Sequence, residues 1–231
     1  MIRKTYINGD MTALATAIQN SGFLKSGESV SYDDQTKTLT ITSGTNTLFT
    51  LALSGTSDSV ITWRAYADAE NYAEGHLGGN SGSYDPFIGY VRYLMSCNGG
   101  LIFDIHRKGY LGESTFFHSI RVLRTNFDQM AFVFYANNDA AGTATNVYTS
   151  QHCIAWGDVT PFATITLSQT VRPVAEVASM LSNGDYEAMS YTRTGGYLVY
   201  YNDRTAKLSA LDINGHHFMT DGTIAIEDVV G

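Results

Sequence analysis

His216 and His217 stand side by side, and paired imidazoles are a common beginning of a metal site. Neighbouring residues on a strand point to opposite faces, so a regular strand cannot bring both rings to one ion. His-Glu-x-x-His, Cys-x-x-Cys and an Asp-rich calcium loop are absent from the sequence, and no metal is expected. For a nucleophile the chain offers Cys97 and Cys153, the latter preceded by His152, but no Gly-x-Ser-x-Gly. Small apolar thiols in strand-like segments are expected in a core, so neither cysteine is assigned a catalytic role. Gly78-Gly79-Asn80-Ser81-Gly82 lacks the strand before it, the helix after it and the lysine that a phosphate cradle needs. No cofactor is expected.

Glycoside hydrolysis needs two carboxylates facing each other across a cleft. The candidates are Asp68 with Glu70, Asp104, Glu113, and Glu227 with Asp228. Asp104 lies between Phe103 and Ile105, and alternation sets it on the opposite face with Ile102, which predicts a solvent-facing side chain. Nothing in the spacing places any two of these carboxylates across a cleft, and the chain is read as non-enzymatic. Sugar recognition would instead use stacked aromatic rings. Tyr197, Tyr200 and Tyr201 are the candidate ligand-binding aromatics, with Tyr90 and Tyr93 a second cluster. Trp63 and Trp156 are expected as core anchors.

The elements that must hold these groups are built from 231 residues, 44% apolar and 16% charged. The charged share is well below the roughly 25% of ordinary soluble domains. Lys+Arg 14 against Asp+Glu 22 gives a net charge of −8, without the basic face that neutralises phosphates, so direct nucleic-acid binding is not expected. Thr, Ser, Asn, Gly and Tyr replace the missing charges; a neutral polar surface of this kind suits protein or sugar contacts, and equally suits strand propensity. Two cysteines are too few for a disulfide scaffold and predict free thiols made in a reducing compartment, with a single bridge as the alternative. No apolar h-region comes after Met1–Tyr6, and the apolar run from Met130 to Ala136 is too short to span a bilayer, so neither a signal peptide nor membrane insertion is expected.

One helix is predicted. Asp10 caps it, Met11, Leu14, Ala15 and Ile18 form its apolar stripe, and Gly22 stops it. A three-stranded meander comes next, with Val30 and Tyr32, then Leu39 and Ile41, then Phe49, Leu51 and Leu53 alternating with polar residues. Beyond it come strand candidates at Val60–Ala67, Ile88–Ser96, Leu101–His106, Ser119–Arg124, Met130–Tyr135, Asn146–Ala155, Phe162–Leu167, Tyr186–Thr192 and Tyr197–Tyr201. Asn98-Gly99, Asn183-Gly184, Asn214-Gly215 and Asp221-Gly222 are tight-turn dipeptides, and the last two delimit a terminal meander of Leu208–Ile213, His216–Thr220 and Thr223–Glu227. Asp68–Asp85 and Asn137–Thr145 read as long loops, and Val174–Leu181 as a weak helix candidate. The expected fold is mainly β, an antiparallel β-sandwich or jelly-roll-like domain over 57–231, preceded by a helix-and-meander module over 1–56.

Two segments carry a resemblance. The first is Thr12–Ile18 with Ser21-Gly22-Phe23, Val30–Asp33 and Thr38–Ile41. The second is Leu211–Gly215 with Phe218–Gly222 and Ala225–Asp228. Together they resemble a group of small β-rich proteins encoded in the tail and structural gene regions of phages and prophages of Gram-positive gut bacteria. These are turn-and-strand patterns, so the resemblance carries over no active-site residue. It implies a virion structural protein of the tail, baseplate or neck, made in the host cytoplasm and partnered by other virion proteins and by copies of itself in a homo-oligomer. The alternative is a carbohydrate- or receptor-binding module on a tail tip or bacterial surface, with a host glycan as partner.

Overall fold

A computed structural model describes residues 1–55, 58, 60–66, 72–77, 91–108, 115–124, 130–139, 149–150, 159–160, 172–174, 177–181, 186–189, 198–200, 208–213, 215–222 and 224–229. The fold is mainly β. Strand β1 (Arg3–Tyr6) leads into helix α1 (Met11–Gln19), and then β2 (Glu28–Asp33), β3 (Thr38–Ser43), β4 (Asn46–Ser54), β5 (Val60–Tyr66) and β6 (Tyr72–Leu77). Strand β7 (Val91–Ser96) comes next, followed by three long strands, β8 (Gly100–Lys108), β9 (Thr115–Arg124) and β10 (Met130–Asp139). Short strands β11 (Thr149–Ser150), β12 (Val159–Thr160), β13 (Arg172–Val174), β14 (Val177–Leu181), β15 (Tyr186–Met189) and β16 (Leu198–Tyr200) precede the terminal β17 (Ser209–Ile213), β18 (His216–Thr220) and β19 (Ile224–Glu227).

Among the described residues all pairing is antiparallel, in sheets ordered β2-β3-β4-β5-β6, β1-β7-β8-β9-β10-β11, β12-β14-β15 and β13-β16-β19-β18-β17. The helix forms as its residues dictate. The Asp10 carboxylate accepts the Ala13 N–H at 2.9 Å, and Met11, Leu14, Ala15 and Ile18 are buried. It ends at Asn20, where the Ser21 hydroxyl donates to the Ile18 carbonyl, and Gly22 then turns the chain away with φ +77°.

That helix and the β2–β6 sheet bury one continuous core against one face of β7–β9. Leu39, Ile41, Phe49, Leu51, Ile61 and Trp63 come from the first sheet, and Leu94, Leu101, Phe103, Ile105, Ile120 and Val122 from the second. Phe49 and Phe103 stack across the layers with centroids 6.1 Å apart. Alternation makes this possible, because each strand presents every second side chain to the same face, and in β7 a register shift between Val91 and Tyr93 lets both Val91 and Leu94 reach the core.

The tertiary structure departs from the sequence-based expectation at several places, and Asn137–Asp139, expected to open a loop, end β10. The stretch Asp68–Asp85, expected as a loop, contains β6; the edge of β5 gives its backbone a ladder that its weak strand propensity does not predict. Within the helix candidate Val174–Leu181, Val177–Leu181 is a strand, and Val177–Met180 pair with β15. Strand β4 pairs with β5, Leu51 opposite Trp63, and one core cluster holds side chains from α1, β3–β5 and β7–β9. Two of the tight-turn dipeptides behave as read, Gly215 and Gly222 taking φ of +85° and +89°, where a side chain would be strained, whereas Gly99 joins β7 to β8 without a positive φ. Phe162–Leu167, Asn183-Gly184 and Trp156 lie outside the described residues.

Candidate functional site

The second face of the six-stranded sheet holds buried charge. Register puts Ile102 opposite Met95 and Arg121, and Asp104 opposite Tyr93 and Ser119, so these side chains share the face that points away from the apolar core. Asp104, Ser119 and Arg121 are each 1% exposed. The expectation that Asp104 faces solvent is therefore corrected. Alternation set it on the right face, but the terminal strands β17–β19 and their flanks cover that face.

Contacts among the described residues fasten the cover. The Arg121 guanidinium pairs with the Asp221 carboxylate, both 1% exposed, in the turn between β18 and β19. The Cys97 thiol donates to the Glu227 carbonyl at 3.7 Å, and the Asn98 amide donates to the Val229 carbonyl. Lys4 Nζ reaches the Leu208 carbonyl at 2.9 Å and lies over the Tyr93 ring. The Met1 ammonium meets the buried Asp228 carboxylate at 2.6 Å. Burial pushes Arg121 below its ordinary pKa while the Asp221 charge pushes it back up. Removing one member of such a pair costs about 3–5 kcal/mol, whereas the intact pair gives little net stability. Its effect is to fix where the terminal turn sits on the sheet.

The other chemical candidates are dispersed. His216 and His217 point to different strands: His216 Nδ1 meets Glu227 Oε1 on β19 at 2.6 Å, and His217 Nδ1 meets Asp212 on β17. Among the described residues no group of three or more His, Cys, Asp or Glu is placed to hold a metal ion. Cys97 is a free, buried thiol whose pKa is pushed up to about 12 by burial. Glu227 and Asp228 are both buried, and His216 and the Met1 ammonium respectively occupy them. Trp63 is a fully buried core anchor. An open cavity of about 470 Å³ lies beside the seam, lined by Met1, Ile2, Leu211, Asp212, His217 and Asp228. No described helix is long and apolar enough to cross a membrane.

Of the candidate ligand-binding tyrosines, Tyr200 ends β16, opposite Arg172 on one side and Ile224 on the other. Tyr197 and Tyr201 lie outside the described residues, as do Asp68, Glu70, Glu113, His152, Cys153 and Gly78–Gly82. Sequence reasoning does not find the Arg121–Asp221 pair, because the two residues are 100 positions apart. A signal exists all the same: Phe103-Asp104-Ile105 and Ile120-Arg121-Val122 each place one charge inside an apolar strand, and such charges need buried partners. The arrangement is a seam in which the Arg121–Asp221 pair is enclosed, while Asp228 lines the open cavity at its margin. Compared with known proteins, the chain matches no family model, no curated protein and no solved structure.

Proposed function

We propose that this protein is a non-enzymatic structural component of a phage particle, in the tail, baseplate or neck, made in the host cytoplasm and acting through contacts with copies of itself and with other virion proteins. The observation that supports this reading best is the placement of charge. Asp104, Arg121 and Asp221, each 1% exposed, are enclosed between two layers that the Arg121–Asp221 pair holds in register. Meanwhile the edge strand β2 exposes neutral hydroxyls such as Ser29 and Ser31. A subunit with a fixed interior and a charge-poor outer surface suits repeated contacts better than it suits turnover. The resemblance of the two quoted segments to phage structural proteins gives the same direction.

Light scattering coupled to size-exclusion chromatography over a wide concentration range tests it. A discrete ring or a concentration-dependent series of larger species is the expected result. A monomer at every concentration would reject the assembly role and favour the glycan- or receptor-binding alternative. In that case alanine at Tyr197, Tyr200 or Tyr201 should abolish glycan retention while the protein stays folded.

A further inference from the structure

Strands β1 and β2 each end a sheet, with one neighbour apiece among the described residues. All four residues of β1 are exposed, and β2 alternates between half-buried and exposed. Edges of this kind template the addition of another strand. Their charges are opposite, since β1 reads Arg3-Lys4-Thr5-Tyr6 whereas β2 begins with Glu28 and ends with Asp33. The Asp33 carboxylate accepts the Gln35 N–H at 2.8 Å, and such hydrogen bonds hold it below the usual carboxylate range, so it is ionised at neutral pH.

The backbone of each edge fixes which residues can pair. Ile7 N–H donates to the Arg92 carbonyl and continues the β1–β7 register, so Arg3 and Thr5 bond inward while Lys4 and Tyr6 turn their N–H and C=O outward. On β2, Gly44 N–H donates to the Gly27 carbonyl in line with the β2–β3 register, which leaves Val30 and Tyr32 turned outward. An antiparallel alignment that opposes Tyr6 to Val30 and Lys4 to Tyr32 therefore joins outward groups to outward groups. That same alignment opposes Arg3 to Asp33 and Thr5 to Ser31. Opposite charges, paired hydroxyls and an aromatic against a β-branched residue are all favourable cross-strand neighbours. A groove of about 570 Å³ lies between Arg3 and Thr5 and the α1 residues Ala13, Thr16 and Ala17, with the Arg3 guanidinium donating to the Asn20 carbonyl on its rim.

We propose that β1 of one copy pairs with β2 of a second copy in this register. Pairing of like edges is disfavoured, because two antiparallel β2 strands would bring Glu28 of each close to Asp33 of the other, and two β1 strands would crowd their cations. The contact is thus head to tail, and such contacts generate rings when the rotation closes and filaments when it does not. The inference rests on the assembly role proposed above and names the surfaces that would carry it.

The test is light scattering on the full chain and on Arg3→Glu, Tyr6→Pro and Arg3→Glu/Asp33→Lys, with circular dichroism to verify folding. Tyr6→Pro removes one outward N–H and leaves the ladder to β7 whole. Arg3→Glu and Tyr6→Pro should each raise the dissociation midpoint by about tenfold or more, and the double charge swap should restore assembly. If the wild type assembles and neither single variant moves the midpoint, the edge pairing is wrong while the assembly role stands. If both move it and the charge swap fails to restore it, the partner of β1 is not β2 and the proposal falls. A wild type that stays monomeric overturns both readings.

Discussion

One face of β8 and β9 carries Leu101, Phe103, Ile105, Ile120 and Val122, and the other carries Ile102, Asp104, Ser119 and Arg121. Both faces are buried, but they are buried by different means. On the first, helix α1 and the β2–β6 sheet contribute apolar side chains, and attraction scales with area and tolerates small shifts. On the second, the terminal strands meet the sheet through an ion pair and a set of polar contacts that are satisfied only in one position. The apolar layer is held by buried area, and the second layer adds to its own apolar residues an ion pair whose two members each need the other.

The largest effect should come from the apolar layer. Trp63→Ala empties a fully buried site in the main core and is expected to cost about 4 kcal/mol in urea unfolding. Next is Asp221→Ala, which strips Arg121 of the carboxylate facing it and should cost about 3 kcal/mol. The informative variant is Arg121→Met/Asp221→Leu. It should return stability to within about 1 kcal/mol of the wild type, because an apolar pair of similar volume needs no counter-charge. If Asp221→Ala is nearly neutral and the double variant no better, the two faces do not differ in the way described.

The Cys97 thiol sharpens the contrast through pH. Its pKa in the folded protein is about 12 against roughly 8.5 for a free thiol, so the neutral thiol is the form the seam accommodates. A raised folded value means full stability below about pH 8.5 and progressive loss above it, as the unfolded chain sheds a proton the folded chain keeps. By about pH 10 that difference is about 2 kcal/mol, and Cys97→Ser should flatten this part of the stability profile relative to the wild type. The smallest effect belongs to the helix cap: Asp10→Ala removes the acceptor for Ala13 N–H and should cost about 1 kcal/mol, read as a lower melting temperature with unchanged strand content.

Much of the first layer was legible from residue order. Asp10 before Met11-x-x-Leu14-Ala15-x-x-Ile18 states a capped amphipathic helix, and Leu39/Ile41 and Phe49/Leu51/Leu53 state which faces of their strands are inward. These signals are local, so neighbouring residues carry them. The seam was not legible in the same way. Alternation showed that Asp104 leaves the Phe103 face, and a single strand has no means of stating what lies beyond its other face. The β6 strand escaped for a related reason: Tyr72–Leu77 contains Gly75 and Glu74, which favour no strand, and it exists through pairing with β5.

The sequence by itself determined the mainly β class, the capped helix before the meander, the tight turns at Gly215 and Gly222, and a net charge of −8. Each of these comes from period, propensity or composition, which act over a few residues or over the chain as a whole. Only the tertiary structure decided that both faces of the central strands are covered, that Arg121 meets Asp221 across 100 residues, and that β1 and β2 end their sheets among the described residues. Those outcomes depend on which distant segments come to lie together, and the cost of an unpartnered buried charge or backbone group selects among arrangements without writing its choice into any one segment.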